Sequence, residues 1–238
     1  MNLLRLCLLF SLLIFPTFIN AQWQNLSAPF GGSVLQFEED GSDLYALTYG
    51  GIYKSANAGA NWSLLGNSRH LGWQAVQLDV SNGFLYVLTQ TGTVERSTDD
   101  GATWQTVLTK PYPINGPGEK LLHIFASGDT VLVGSALTIY RSVNQGNTWE
   151  KTLDNYAERY QGFAKVGNDV FAAHDWFIRK SSDGGLTWQQ VFSASYIFAD
   201  FTVVDTILYA LYDGYPRLIR SHDRGATWDA INADSIEF

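Results

Sequence analysis

Acidic side chains beside aromatic rings and arginines recur along this 238-residue sequence. They include His70 with Trp73, Tyr156-Ala157-Glu158-Arg159-Tyr160, His174-Asp175-Trp176, Tyr196, and Asp213-Gly214-Tyr215-Pro216-Arg217. An insertion running from Pro111-Tyr112-Pro113 to Gly118 adds a further ring. Such sets suit carbohydrate: a flat ring covers the apolar face of a sugar, while carboxylates and guanidinium groups hydrogen-bond its hydroxyls. The binding candidates are Trp73, Tyr112, Tyr160, Trp176, Tyr215 and Arg217. Asp175 and Asp213 form the candidate catalytic pair, because glycoside hydrolysis ordinarily takes two carboxylates. The commoner role of each type is plainer, with rings packing on a scaffold and acids solvating loops.

Other chemistries find less support. The four histidines (His70, His123, His174, His222) lack metal-ligand spacing. Asp99-Asp100-Gly101 and Asp183-Gly184-Gly185 resemble fragments of calcium loops, without the bidentate glutamate of an EF-hand. Neither a glycine-rich phosphate cradle nor a nucleophile elbow occurs, and no metal or cofactor is expected. The formal charge of −8 disfavours nucleic acid and anionic membrane surfaces as partners.

The elements that must position these residues are repeats. Five octapeptides fit S-x-[DN]-x-G-x-[TN]-W: Ser55-x-Asn57-x-Gly59-x-Asn61-Trp62, Ser97-x-Asp99-x-Gly101-x-Thr103-Trp104, Ser142-x-Asn144-x-Gly146-x-Thr148-Trp149, Ser181-x-Asp183-x-Gly185-x-Thr187-Trp188 and Ser221-x-Asp223-x-Gly225-x-Thr227-Trp228. Their tryptophans are 42, 45, 39 and 40 residues apart. The octapeptide predicts a tight turn: Asp or Asn hydrogen-bonds backbone two residues on, Gly supplies the positive φ, and Trp anchors the next strand. Before each turn stand three short apolar segments. The middle ones, such as Leu44-Tyr45-Ala46-Leu47 and Leu85-Tyr86-Val87-Leu88, are continuously apolar, as in strands covered on both faces. A basic residue precedes every box serine: Lys54, Arg96, Arg141, Lys180 and Arg220. Four strands in about 40 residues, repeated, is the signature of a propeller blade.

These octapeptides resemble the Asp-box, or BNR, repeats of sialidase-like, xyloglucan-degrading, sortilin-type and photosystem assembly factor propellers. The resemblance implies an all-β propeller of four-stranded antiparallel blades over residues 22–238, with repeats at about 33–66, 74–109, 121–154, 161–193 and 200–232. It implies little about activity, since the box is a scaffold turn remote from the active face; Asn57, Asn144 and Asn61 depart from the usual residues but keep an acceptor. If the boxes join third to fourth strands, function belongs to the opposite face, with the second-to-third loops and the connections between blades. Catalytic sialidases of this family also carry an F/Y-R-I-P type motif ahead of the first box. Gln22 to Lys54 contains no arginine, and Tyr215-Pro216-Arg217-Leu218 has similar letters in the wrong order and place. The expectation is therefore a noncatalytic propeller binding a protein or glycan partner, with a sialidase-like or other glycoside hydrolase as the alternative.

Trp23 lies 39 residues before Trp62, so residues 22–28 read as a lone fourth strand. Six fourth strands then face five sets of the other three. The count reads as a truncated six- or seven-bladed ring; the alternative is five blades that close with the Trp23 strand as an extra. Residues 1–21 read as a secretory signal peptide, with Arg5, an apolar run and a small-residue end at Ala21. Its removal would take away the only cysteine, Cys7, leaving 14 basic against 23 acidic residues, a charge of −9. The expectation is a secreted or cell-envelope protein with no disulfide and no membrane span after signal removal.

Overall fold

The computed structural model describes residues 33–109, 121–136, 138–154, 160–212 and 218–231. They form five four-stranded antiparallel sheets in sequence order, arranged as a β-propeller. Blade 1 holds β1 (Val34–Asp40), β2 (Asp43–Thr48), β3 (Gly51–Ser55) and β4 (Ser63–Leu64). Blade 2 holds β5 (Ala75–Ser81), β6 (Phe84–Thr89), β7 (Thr93–Ser97) and β8 (Gln105–Thr109). Blade 3 holds β9 (Leu121–Ser127), β10 (Thr130–Ser135), β11 (Thr138–Ser142) and β12 (Glu150–Asp154). Blade 4 holds β13 (Tyr160–Val166), β14 (Asp169–His174), β15 (Phe177–Ser181) and β16 (Gln189–Ser193). Blade 5 holds β17 (Phe198–Val204), β18 (Ile207–Tyr212), β19 (Leu218–Ser221) and β20 (Asp229–Ile231). The leader and the Trp23 strand lie outside the described residues.

The second strands are apolar on both faces because each blade is covered by its neighbours. Four apolar clusters fill the interfaces between consecutive blades. In blade 2, Leu85 and Val87 pack back onto blade 1, whereas Tyr86 and Leu88 pack forward onto blade 3. All four are fully buried. At roughly 1.5–3 kcal/mol for each such side chain, these interfaces supply most of the stabilisation.

The inner strands, β1, β5, β9, β13 and β17, are each seven residues long with a register shift after the first residue. Their third residues show how blades are joined. The Gln36 amide donates to the Leu78 carbonyl at 2.9 Å and accepts from the Leu78 N–H at 2.9 Å. Gln77 repeats the pair on Ile124, at 3.0 and 2.8 Å. The same position holds His123 in blade 3, Gly162 in blade 4 and Asp200 in blade 5.

Every box joins the third strand of its blade to the fourth. The serine Oγ donates to the Asp or Asn Oδ1 and accepts from the glycine N–H, all at 2.7–2.9 Å. The Asp or Asn Oδ1 in turn accepts from the N–H four residues on, at 2.8–2.9 Å. The reach is thus longer than the two residues expected, because the turn contains two left-handed residues instead of one. Ala58, Asp100, Gln145, Gly184 and Arg224 have φ between 52° and 69°, each just before the box glycine, itself at φ 78–89°. Trp104, Trp149 and Trp188 each donate Nε1–H to the box glycine carbonyl at 3.0 Å.

In the first three blades the basic residue ahead of the serine reaches the next blade, whereas Lys180 pairs with Asp169 of its own blade at 2.8 Å. Lys54 pairs with Asp100 at 3.1 Å, Arg96 donates to the Gln145 carbonyl at 2.6 Å, and Arg141 Nε donates to the Gly184 carbonyl at 2.8 Å. All three targets hold the fourth position of the following box.

Candidate functional site

The face opposite the boxes carries the β2–β3 type turns and the connections between blades. In the first three blades the turn is latched by a hydroxyl at the end of the second strand. Thr48 donates to the Gly51 carbonyl at 2.9 Å, Thr89 to the Thr93 carbonyl at 3.3 Å, and Ser135 to the Thr138 carbonyl at 2.9 Å. Blade 4 places His174 there instead, followed by Asp175 and Trp176.

In blade 1 the turn presents Tyr49, and the connection to blade 2 presents Trp73. Their rings stack, with centroids 5.2 Å apart and planes at 24°. Both are exposed, Trp73 at 74 % and Tyr49 at 41 %. The pair is held from beneath by a 3-10 turn, Ser68–Leu71, whose Ser68 hydroxyl accepts the Ile52 N–H at 3.0 Å. Gly72 lies so close to the Tyr49 carbonyl that a Cβ there would stand 2.2 Å from its oxygen. On the far side, Gln90 N–H donates to the Gln74 carbonyl at 2.7 Å. His70 is exposed and its Nδ1 stands 2.5 Å from the Asn67 carbonyl, so it serves the turn.

Blade 4 and its connection to blade 5 present Trp176 and Tyr196, 44 % and 49 % exposed. Tyr196 stands two residues before the inner strand β17, and Trp73 stands two residues before β5. The two rings therefore occupy the same position of the repeat. The Asp175 and Trp176 carbonyls accept from Phe198 N–H and Ala194 N–H, both at 2.8 Å, which ties the turn to the connection.

Beneath this turn the polar groups are buried. His174 is 1 % exposed, and its Nε2 accepts from Arg179 Nε at 3.1 Å, the arrangement of a neutral imidazole. Burial first, and then the Arg179 charge, lower its pKa to about 4. Asp175 is buried with φ 44°. It is a built-in turn residue and not a solvated loop acid.

Tyr160, expected as a binding ring, is 7 % exposed and stacks on Phe163 at 5.8 Å, against His174 at 5.4 Å. It begins β13 and packs into the blade 3–4 cluster, so it backs the loop instead of presenting a ring. Its buried hydroxyl has no hydrogen-bond partner, and burial raises its pKa. Tyr112, Asp213, Tyr215 and Arg217 lie outside the described residues, as do Tyr156, Glu158 and Arg159.

A channel of about 690 Å³ runs between the inner strands of all five blades. Its wall holds two carboxyls in difficult surroundings. Asp79 has its pKa raised well above the ordinary range by burial and then by Glu38, and Glu38 is itself raised by burial. His123 is lowered to about 4, again mainly by burial. None of the expected binding residues among the described ones lines this channel.

Sequence reasoning missed Tyr49 and Arg179. Aligning the last residues of the middle segments would have exposed the departure, since Thr48, Thr89 and Ser135 are followed by His174. Aligning the residues ahead of each inner strand would have paired Trp73 with Tyr196.

The fold and this face define a β-propeller scaffold with exposed aromatic rings at equivalent loop positions. No family model matches the chain. A xyloglucanase from Paenibacillus sp. is 28 % identical over 243 residues, covering 88 % of this chain and 22 % of the xyloglucanase. The chain thus spans about a fifth of that relative's length. Among solved structures, an ancestral GH74 enzyme superposes with a TM-score of 0.63 at 17 % identity, covering 88 % of this chain and 32 % of the enzyme. YCF48 bound to D1 peptide superposes at 0.54 with 14 % identity, covering 79 % and 64 %. At these identities the structural likeness establishes the fold alone.

Proposed function

We propose that this chain is a glycoside-hydrolase-related propeller that holds a polymeric glycan across its hairpin face. The observation that carries the reading is the recurrence of exposed rings at one repeat position, Trp73 stacked on Tyr49 and Tyr196 in the connection that is tied to the Trp176 turn. A stacked, solvent-facing aromatic pair keeps apolar area in water unless a ligand covers it, and sugar rings are ligands of that shape. The similarity to a xyloglucanase supports a β-glucan backbone as the first ligand to test. In this reading the leader at residues 1–21 delivers the protein outside the cytoplasm, where such polymers occur.

A hydrolytic form of the same reading runs through Asp175 and Asp213, which hold equivalent sequence positions in adjacent repeats. Glycoside hydrolysis ordinarily takes two carboxylates, and Asp175 is buried in the turn tied to the blade 4–5 connection. Incubation with xyloglucan, followed by measurement of both retention and new reducing ends, separates the two forms. Retention without turnover supports the binding propeller. Turnover abolished by Asp175→Asn and by Asp213→Asn supports hydrolysis, and full turnover in both variants ends that assignment. A chain that neither retains nor cleaves the polymer refutes the proposal.

A further inference from the structure

At the box end an arginine fills the groove between neighbouring blades twice, and between blades 4 and 5 that arginine is missing. Arg96 of blade 2 donates to the Gln145 carbonyl at 2.6 Å and to Gln105 Oε1, its partner across the sheet, at 3.2 Å. Arg141 of blade 3 donates to the Gly184 carbonyl at 2.8 Å and to Glu150 Oε1, which faces it in the same register. Each guanidinium thus takes two acceptors. One is the backbone carbonyl of the fourth residue of the following box, and the other is the side chain opposite it on its own fourth strand.

Blade 4 has Lys180 at this place, held by Asp169 at 2.8 Å. The residues matching Asp169 at the start of the second strand are Phe84 in blade 2 and Thr130 in blade 3, neither of them charged. A second link is missing as well. Trp149 and Trp188 reach back to the preceding blade, at the Val107 carbonyl (2.8 Å) and Thr152 Oγ1 (3.4 Å), whereas the buried Trp228 Nε1 has no hydrogen-bond partner. A cavity of about 430 Å³ stands in this groove, with Gln189 and Val191 on one wall and Asp223, Arg224 and Gly225 on the other. The acceptors used by the two arginines are kept. Gln189 faces Lys180 in the register of Gln105 and Glu150, and Arg224 holds the fourth box position at φ 57°, as Gln145 does at 61°. The Asp223 carboxylate adds negative charge, while the Arg224 guanidinium stands 3.8 Å from Asp169.

We propose that the groove between blades 4 and 5 binds an arginine side chain of a basic partner protein. The molecule itself shows twice what fills this place. The incoming guanidinium takes the position of Arg96 and Arg141, donating to the Arg224 carbonyl and to Gln189 with the Asp223 carboxylate beside it. Two acceptors in different directions suit the planar fork of a guanidinium better than the point charge of an ammonium. The formal charge of −8 favours the approach of a basic partner. Both walls lie within the described residues. The site is at the box end and is independent of what the hairpin face binds.

Nuclear magnetic resonance titration of the isotope-labelled chain with a short peptide, one arginine between neutral residues, tests the proposal. The expected result is saturable amide shifts centred on Gln189, Gly225 and Ala226. The same peptide with citrulline, an uncharged isostere, binds about tenfold more weakly, the effect of losing a charged hydrogen bond. Asp169→Thr combined with Lys180→Arg rebuilds the blade 3 arrangement and fills the groove from within. It abolishes the shifts with unchanged near-UV circular dichroism. Arg224→Gly copies the glycine of box 4 and removes a repelling charge, so it tightens binding severalfold. The absence of saturable shifts at these residues in millimolar peptide overturns the proposal, as does equal binding of the citrulline peptide or undiminished binding by the double variant. So does weaker binding in Arg224→Gly, or tighter binding of a peptide with glutamate in place of arginine, since the groove would then be an anion site.

Discussion

The two ends of the blades follow different rules. At the box end five turns repeat the same hydrogen bonds within 0.2 Å, although only Ser, Gly and Trp are constant among them. At the hairpin end the second strand closes on Thr, Thr, Ser and then His174, and Tyr49, Trp73, Trp176 and Tyr196 are exposed. The box end is over-determined because each of its groups answers a backbone donor or a neighbouring blade. At the hairpin end only the latch and the Asp175 turn answer such demands, so the exposed rings beyond them are free to be chosen for a ligand. Regularity along this chain therefore marks structure, and departure from it marks candidate function.

The contrast can be tested by breaking it. The largest effect is expected from Gly185→Ala. Its φ of 89° and a Cβ that would stand 2.7 Å from Leu132 Cδ2 combine backbone strain with overpacking. A loss of about 3 kcal/mol in urea unfolding is expected. Next comes pH. His123 and His174, lowered to about 4 from the ordinary 6.5, bind protons more readily in the unfolded chain. The stability they permit is complete above roughly pH 6.5 and is lost as pH falls toward about 4. His123→Gln supplies the amide used by Gln36 and Gln77 at the same repeat position. It should reduce the difference between unfolding free energies at about pH 7 and 5 by about 2 kcal/mol.

Ser97→Ala removes a hydroxyl that both donates to Asp99 and accepts from the Gly101 N–H. It should cost about 1.5 kcal/mol, and the matching change at Ser55 or Ser142 should cost the same if the boxes are equivalent. The smallest effect is a gain. Ala58→Gly relieves a left-handed residue at φ 53° and should stabilise by about 0.5 kcal/mol. A loss there would mean that the turn does not hold Ala58 in that conformation.

The blades were legible because five in-register octapeptides and apolar segments leave few other folds. The two-residue left-handed turn was not, since Ala58, Asp100, Gln145 and Arg224 share no side-chain feature that announces positive φ. The constant basic residue was visible in the sequence, but its role, reaching the following box, depends on how blades stack. At the hairpin face, Trp73 and Trp176 were found as exposed rings because they are large aromatics in connecting segments. Tyr160 looked similar and is buried, for it starts a strand that the sequence places one residue later. Asp175 looked like a solvated acid, yet hydrogen bonds from Phe198 and Ala194 draw its turn against the connection to blade 5.

The central claim is that the equivalent rings Trp73 and Tyr196 present one ligand surface. Calorimetric titration with xyloglucan oligomers and polymer, comparing the wild type with Trp73→Ala, Tyr196→Ala and the double variant, tests it most directly. The account predicts measurable binding by the wild type, about tenfold weaker binding in each single variant, and loss in the double variant with unchanged unfolding. Equal binding by the double variant and the wild type would contradict it.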